Sequence, residues 1–160
     1  MDTEGFAIAV AHENGGWRCS QLDDELVDDL DGLLTALRRL ASGGGAVFAM
    51  VGVDDEFFAI VRPAPGGAAL LVSDASAALD YDLAADILDL LNVPTPDEDD
   101  ADEPWPEGDL AILADFGVSE QEMQIIVDNE DLYPDEQLQM VADRCGFGEK
   151  FSALVDFDHD

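Results

Sequence analysis

Asp97-Glu98-Asp99-Asp100-Ala101-Asp102-Glu103-Pro104-Trp105-Pro106-Glu107-Gly108-Asp109 separates two halves of the chain whose hydrophobic periods differ. Upstream, apolar residues recur both at every second position and at helical spacing; downstream, only the helical spacing remains. The run begins as a charge-dense, solvated segment and ends in a tryptophan held between two prolines. Those prolines favour an extended backbone, which lays the indole of Trp105 across something apolar and keeps it out of a helix. Two readings of Trp105 stand: a staple that orders the linker against one half, or an exposed aromatic anchor for a partner.

In the first half, Phe6, Ile8 and Val10 alternate with Ala7, Ala9 and Ala11, a strand with its bulky face inward. Glu13-Asn14-Gly15-Gly16 supplies the Asn-Gly pair of a tight hairpin, and Trp17 to Leu22 is the returning strand. Leu26, Leu30, Leu33, Leu37 and Leu40 then hold one helical face. Asp23, Asp24 and Glu25 lie at the positive end of that helix, Arg38 and Arg39 at the negative end, and Gly43 to Gly45 stop it. Ala46–Val53, Glu56–Arg62 and Ala68–Ser73 are short apolar runs cut by turn chemistry, a three-stranded meander. Leu79, Leu83, Ile87, Leu90 and Leu91 return to helical spacing, ended by Asn92 and Pro94.

Downstream of the acidic run, Leu110, Leu113 and Ala114 form a short helix closed by Gly117, and Ser119-Glu120-Gln121-Glu122 is a capping box for a second. Pro134 opens a third, with Leu138, Val141, Ala142 and Cys145 inward and Gly146 as its stop. Phe151, Leu154 and Val155 pack back as a last turn. The predicted fold is α+β: an antiparallel sheet of about five strands in the order β-β-α-β-β-β-α, followed by a small C-terminal helical bundle. Residues 1–93 form the sheet domain, 94–109 the acidic Pro/Trp linker, and 110–160 a helical region packed on the first domain.

Charge narrows the partners. The 160 residues carry 38 acidic against 6 basic side chains, a formal charge of -32, so the surface repels phosphate and anionic lipid. Direct nucleic-acid and membrane binding are therefore disfavoured, and a basic protein surface is the attractive counterpart. The same charge also reads as plain solubility or as adaptation to high salt. Met1-Asp2-Thr3-Glu4-Gly5 has no basic n-region and no apolar run approaches membrane-spanning length, which suits the cytoplasm. Cys19 and Cys145 are far apart and match neither a zinc spacing nor a disulfide framework; two buried thiols are expected.

Candidate chemistry is sparse. Asp54, Asp55 and Glu56 gather carboxylates at a hairpin tip, a candidate for a hard cation or otherwise an ordinary polar turn. Asp156, Asp158, His159 and Asp160 read as a solvated tail. His12 and His159 have no partner recognisable in sequence, Ser20 stands in no nucleophile motif, and no glycine pattern has phosphate-loop spacing. No cofactor is indicated, and nothing in the residues argues for an enzyme.

Several segments carry a family resemblance: Val53-Asp54-Asp55-Glu56-Phe57-Phe58, Ser73-Asp74-Ala75, Ala78 to Leu91, Glu103-Pro104-Trp105-Pro106-Glu107-Gly108-Asp109-Leu110, and Leu132-Tyr133-Pro134-Asp135-Glu136-Gln137-Leu138. Together they resemble the actinobacterial tRNA adenosine deaminase-associated proteins over nearly the whole chain. The resemblance implies association with the tRNA-editing deaminase, chiefly as a genomic neighbour, and brings no catalytic residue with it. The deaminase's own zinc-binding His/Cys signature is absent from this sequence. The leading expectation is a non-enzymatic acidic accessory protein that binds the basic surface of a nucleic-acid-modifying enzyme, the tRNA adenosine deaminase. Asp99, Asp100, Asp102, Glu103 and Trp105 are its candidate partner-binding residues. The alternatives are an enzyme or divalent-cation-binding protein using Asp54-Asp55-Glu56, and a salt-adapted acidic scaffold or chaperone.

Overall fold

The small-large alternation of the first strand has a different use from the one its period suggests, because both of its faces are buried. The computed structural model describes residues 5–13, 15–40, 46–54, 56–64, 67–97, 105–129 and 131–155. Within them β1 (Gly5–Glu13), β2 (Gly16–Gln21), β3 (Ala46–Val53), β4 (Phe57–Ala64), β5 (Gly67–Val72) and β6 (Glu107–Gly108) form one antiparallel sheet in the order β2-β1-β3-β4-β5-β6. Ala7, Ala9 and Ala11 line one face with Val47, Ala49, Val51, Ala59 and Val61. Ile8 and Val10 line the other with Phe48, Met50, Phe58 and Ile60. Antiparallel sheets often leave one face in water; here both rows are apolar, so both faces need cover.

The face of small residues is covered by α1 (Leu30–Leu40) and α2 (Asp82–Leu90), through Leu30, Leu33, Leu37, Leu83, Ala84 and Ile87. The bulky face is covered by the second half of the chain: the 110–118 segment, α3 (Glu120–Asp128), α4 (Pro134–Cys145) and α5 (Gly148–Ser152). Leu113, Val118, Met123, Leu138, Val141, Phe147 and Phe151 bury themselves on Ile8, Val10, Phe48 and Ile60. The fold is α+β, a sheet between two helical layers. Among the described residues no helix is long and apolar enough to cross a membrane.

Local chemistry explains the element ends. The predicted helix from Asp23 is broken: a 3₁₀ turn over Asp24–Asp28 gives way at Asp29, whose backbone leaves the helical region (φ -126, ψ 89). Asp29 then starts α1 afresh, its Oδ1 accepting the Gly32 N–H at 3.0 Å. Ser119 Oγ accepts the Glu122 N–H at 3.2 Å as its capping box requires. The Glu122 carboxylate, however, pairs with Arg144 of α4 at 3.0 Å, tying α3 to its neighbour. Pro134 opens α4, and Gly146 closes it in the left-handed region at φ 108. Gln137, buried between them, donates from Nε2 to the Ile126 carbonyl at 2.8 Å and so satisfies the end of α3.

Packing requires the glycine at position 52. Gly52 stands opposite Phe6 in the β1–β3 ladder, and a Cβ there would fall 2.6 Å from the Phe6 ring. The space holds Phe6 edge-on to Phe151 of α5, ring centres 6.0 Å apart. Asn14, Gly43 to Gly45, Asp55, residues 98–104 and the tail from 156 lie outside the described residues.

Candidate functional site

The predicted hairpin tip is in place: β3 and β4 are joined through residues 54–56, and the Glu56 N–H donates to the Val53 carbonyl at 2.8 Å. Asp54 takes a positive φ of 50, as short polar residues in tight turns do. Its carboxylate reaches Tyr81, ahead of α2, whose ring lies 5.3 Å from Phe57. Burial, followed by the charge and hydrogen bond of Asp54 and the charges of Glu56 and Asp80, pushes the Tyr81 phenol up to about 12. The tip is thus a negative environment closing on a tyrosine. No group of three metal-ligating side chains occurs among the described residues, and Asp55 is outside them.

Trp105 is packed onto the α1/α2 side of the sheet. Its Nε1–H donates to Glu107 Oε1 at 3.3 Å, and its carbonyl accepts the Ala75 N–H at 2.8 Å. Glu107 and Gly108 then pair with Val72 and Leu71 as β6, and by Ile112 and Leu113 the chain is packed on the opposite face. The segment 105–113 therefore wraps the sheet edge from one helical layer to the other. Gly108 makes the crossing at φ 109, where an added Cβ would meet the Leu70 carbonyl oxygen at 2.1 Å. The partner-binding candidates Asp99, Asp100, Asp102 and Glu103 are outside the described residues.

A second fastening on the wrapped segment is not visible in sequence. Arg62, late in β4, donates from Nη1 and Nη2 to the two carboxylate oxygens of Asp115, each at 2.8 Å, and from Nη1 to the Ile112 carbonyl at 2.8 Å. Its guanidinium lies 5.0 Å from the centre of the Phe116 ring. Phe116 in turn meets His12 at 5.4 Å and Trp17 at 5.1 Å, and Trp17 meets Phe147 at 4.8 Å. The hydrogen bond to Arg62 holds the Asp115 carboxyl below its usual range, and the Arg62 guanidinium is raised in return. The one hint in sequence is an arginine at the end of an apolar strand in a chain with 6 basic side chains.

Both cysteines are half-buried rather than fully buried. Burial raises the Cys19 thiol, and burial together with the Asp115 charge pushes Cys145 up to about 12, so neither is an activated nucleophile at neutral pH. On the outer face of the α1/α2 layer, Asp86 is raised by burial and then by Asp82, Asp31, Asp89 and Asp29. These aspartates lie close enough together for their charges to act on Asp86.

Residues 5–148 match the family model of the Rv3753c-like tRNA adenosine deaminase-associated proteins. The chain is 50% identical over 155 residues to protein Rv3753c of Mycobacterium tuberculosis (strain ATCC 25618 / H37Rv), covering 96% of this chain and 88% of that protein. No solved structure matches it. With the family model spanning both helical layers and the sheet between them, the chain belongs to the Rv3753c-like tRNA adenosine deaminase-associated protein family.

Proposed function

We propose that this protein is a non-enzymatic, cytoplasmic accessory protein that binds the basic surface of a nucleic-acid-modifying enzyme, the tRNA adenosine deaminase, and tunes its access to RNA. The observation that carries the proposal is the family's association with that deaminase, joined to a formal charge of -32. An enzyme that holds tRNA presents cationic surface to phosphate, and a strongly acidic protein competes for the same surface. The neighbouring aspartates Asp29, Asp31, Asp82, Asp86 and Asp89 support the reading, because a cluster of carboxylates on the α1/α2 layer is the kind of surface a cationic partner would meet favourably. Asp99, Asp100, Asp102 and Glu103 are the further acidic candidates in sequence, followed by Trp105, which packs on the α1/α2 side of the sheet.

Titration of the deaminase with this protein at low and at physiological salt tests it. Binding that weakens with salt, together with displacement of tRNA, is the expected result; no binding in either condition defeats the proposal.

A cation-binding role for Asp54-Asp55-Glu56 is the second reading, favoured by the carboxylates that crowd Tyr81. Calorimetric titration with calcium, magnesium and manganese decides it, and silence with all three retires it.

A further inference from the structure

The sheet ends on one side in β6, two residues long, and on the other in β2, six residues long and in unbroken register with β1 from Glu13↔Gly16 to Ile8↔Gln21. The Leu22 N–H donates to the Ala7 carbonyl at 2.8 Å, so the even-numbered residues Arg18, Ser20 and Leu22 direct their backbone groups toward β1. Trp17, Cys19 and Gln21 direct theirs out of the sheet. Lys150 Nζ donates to the Trp17 carbonyl and closes that position. The backbone groups of Cys19 and Gln21 take no hydrogen bond from any other segment among the described residues. β2 contains no proline and no bulge, the usual devices that keep an edge from pairing.

We propose that two copies of the chain pair antiparallel through β2 about a two-fold axis at Ser20, joining their sheets edge to edge. The open groups dictate that register: Cys19 of each copy exchanges hydrogen bonds with Gln21 of the other, and Trp17 stays with Lys150. Ser20 then faces Ser20 as a non-hydrogen-bonded pair. The same register brings Asp23, exposed just beyond β2, level with Trp17 of the other copy and hence with its Lys150.

Electrostatics selects a second copy as the occupant. β2 carries Arg18 and no carboxylate, and Lys150 stands beside it with no acidic partner within salt-bridge distance among the described residues. Arg18 pairs with Glu13 at 3.5 Å, which leaves Lys150 as the cation at this edge to meet a carboxylate of the other copy. Repulsion between the two acidic bodies is cut off beyond ~8 Å at physiological salt, whereas the Asp23–Lys150 attraction acts at contact. Six residues span only about 20 Å of edge, so the interface is small and the dimer weak and reversible.

Sedimentation velocity on the full chain tests this, run up to about 1 mM protein, the range a small interface requires. A reversible dimer that strengthens as salt rises from low to physiological is expected; a monomer throughout overturns the proposal. Gln21→Pro removes an outward N–H while leaving the ladder to β1 intact, and should abolish the dimer without changing the circular dichroism of the monomer. A dimer that survives in folded Gln21→Pro overturns it. Ser20→Cys should form an oxidative cross-link through residue 20, since facing positions lie at disulfide distance, while Cys19 and its symmetry mate, about 8 Å apart, should not. A dimer in which Ser20→Cys fails to cross-link refutes the register. Lys150→Glu and Asp23→Lys should each weaken association, and the double variant should restore it; failure of the double to recover overturns the pairing of those charges.

Discussion

Replacing Trp105 by alanine is the sharpest test of how the two helical layers are held together. The indole is half-buried against the α1/α2 side of the sheet, at the point where the chain begins to wrap the sheet edge. Truncating a fully buried tryptophan costs about 3–5 kcal/mol, so a half-buried one should cost ~2 kcal/mol. Loss of the long Nε1 hydrogen bond to Glu107, at 3.3 Å, adds ~0.5 kcal/mol. The Ala75 bond to the residue 105 carbonyl survives the substitution, being backbone to backbone. For a chain of this length the sum corresponds to a fall in Tm of roughly 5–10 °C. Scanning calorimetry of Trp105→Ala and Trp105→Phe beside the parent protein measures it, and the phenylalanine variant should lose less than half as much. A Trp105→Ala midpoint within about 1 °C of the parent would refute the staple. If stability held while capture of the deaminase weakened, the indole would instead be an anchor for the partner.

The remaining predictions concern other fastenings. Arg62→Met should destabilise by about 1–2 kcal/mol, below the value of a buried bidentate pair because Asp115 is 56% exposed; chemical denaturation reads it. Since Arg62 holds the Asp115 carboxyl below the unfolded value of 3.8, that contribution is present above this pH and lost as pH falls through the folded value, and Asp115→Asn should flatten that part of the acid limb. Tyr81 has the opposite sign: its phenol is raised from 10.0 to about 12, so its neutral form stabilises the fold fully below pH 10 and the contribution is lost as pH rises toward 12; Tyr81→Phe should remove that alkaline decline in thermal stability. Gly52→Ala should cost about 1–3 kcal/mol by pushing a methyl into Phe6, and Phe6→Leu should recover part of the loss in the double variant, measured by urea unfolding.

Most elements were legible because their signals are local. The Asn14-Gly15 turn sequence, the leucine stripe of α1 and the Pro134 start and Gly146 stop of α4 each depend on a few neighbouring residues, and the strands and helices fall where those patterns put them. The break at Asp29 was missed because an aspartate that caps a new helix looks, in sequence, like one more polar position on the outer face of a longer one. The half-burial of Cys19 and Cys145 was missed for a related reason: each sits at the periphery of the core, where burial is decided by a neighbouring element. Arg62 could not be matched to Asp115 from its own surroundings, since the two are 53 residues apart and meet only when the chain wraps the edge.

By itself the sequence determined most of the element types, the two apolar rows of β1, the charge of -32 and the family segments, all properties of residues and their near neighbours; the turn and 3₁₀ helix that replace the expected helix at residues 110–114, and the short strand β6, came only with the wrapped edge. Only the tertiary structure decided what covers each row. Leucine-rich helices can bury their stripes on one another or on a sheet for similar gain in apolar burial. The choice falls to the sheet because β1 and β3 are apolar on both faces, and the second face stays wet unless the C-terminal helices cover it. Tertiary structure likewise decided which edge is wrapped and which ends the sheet: Trp105, Gly108 and Arg62 close the β5–β6 side, while at β2 the backbone groups of Cys19 and Gln21 point away from β1.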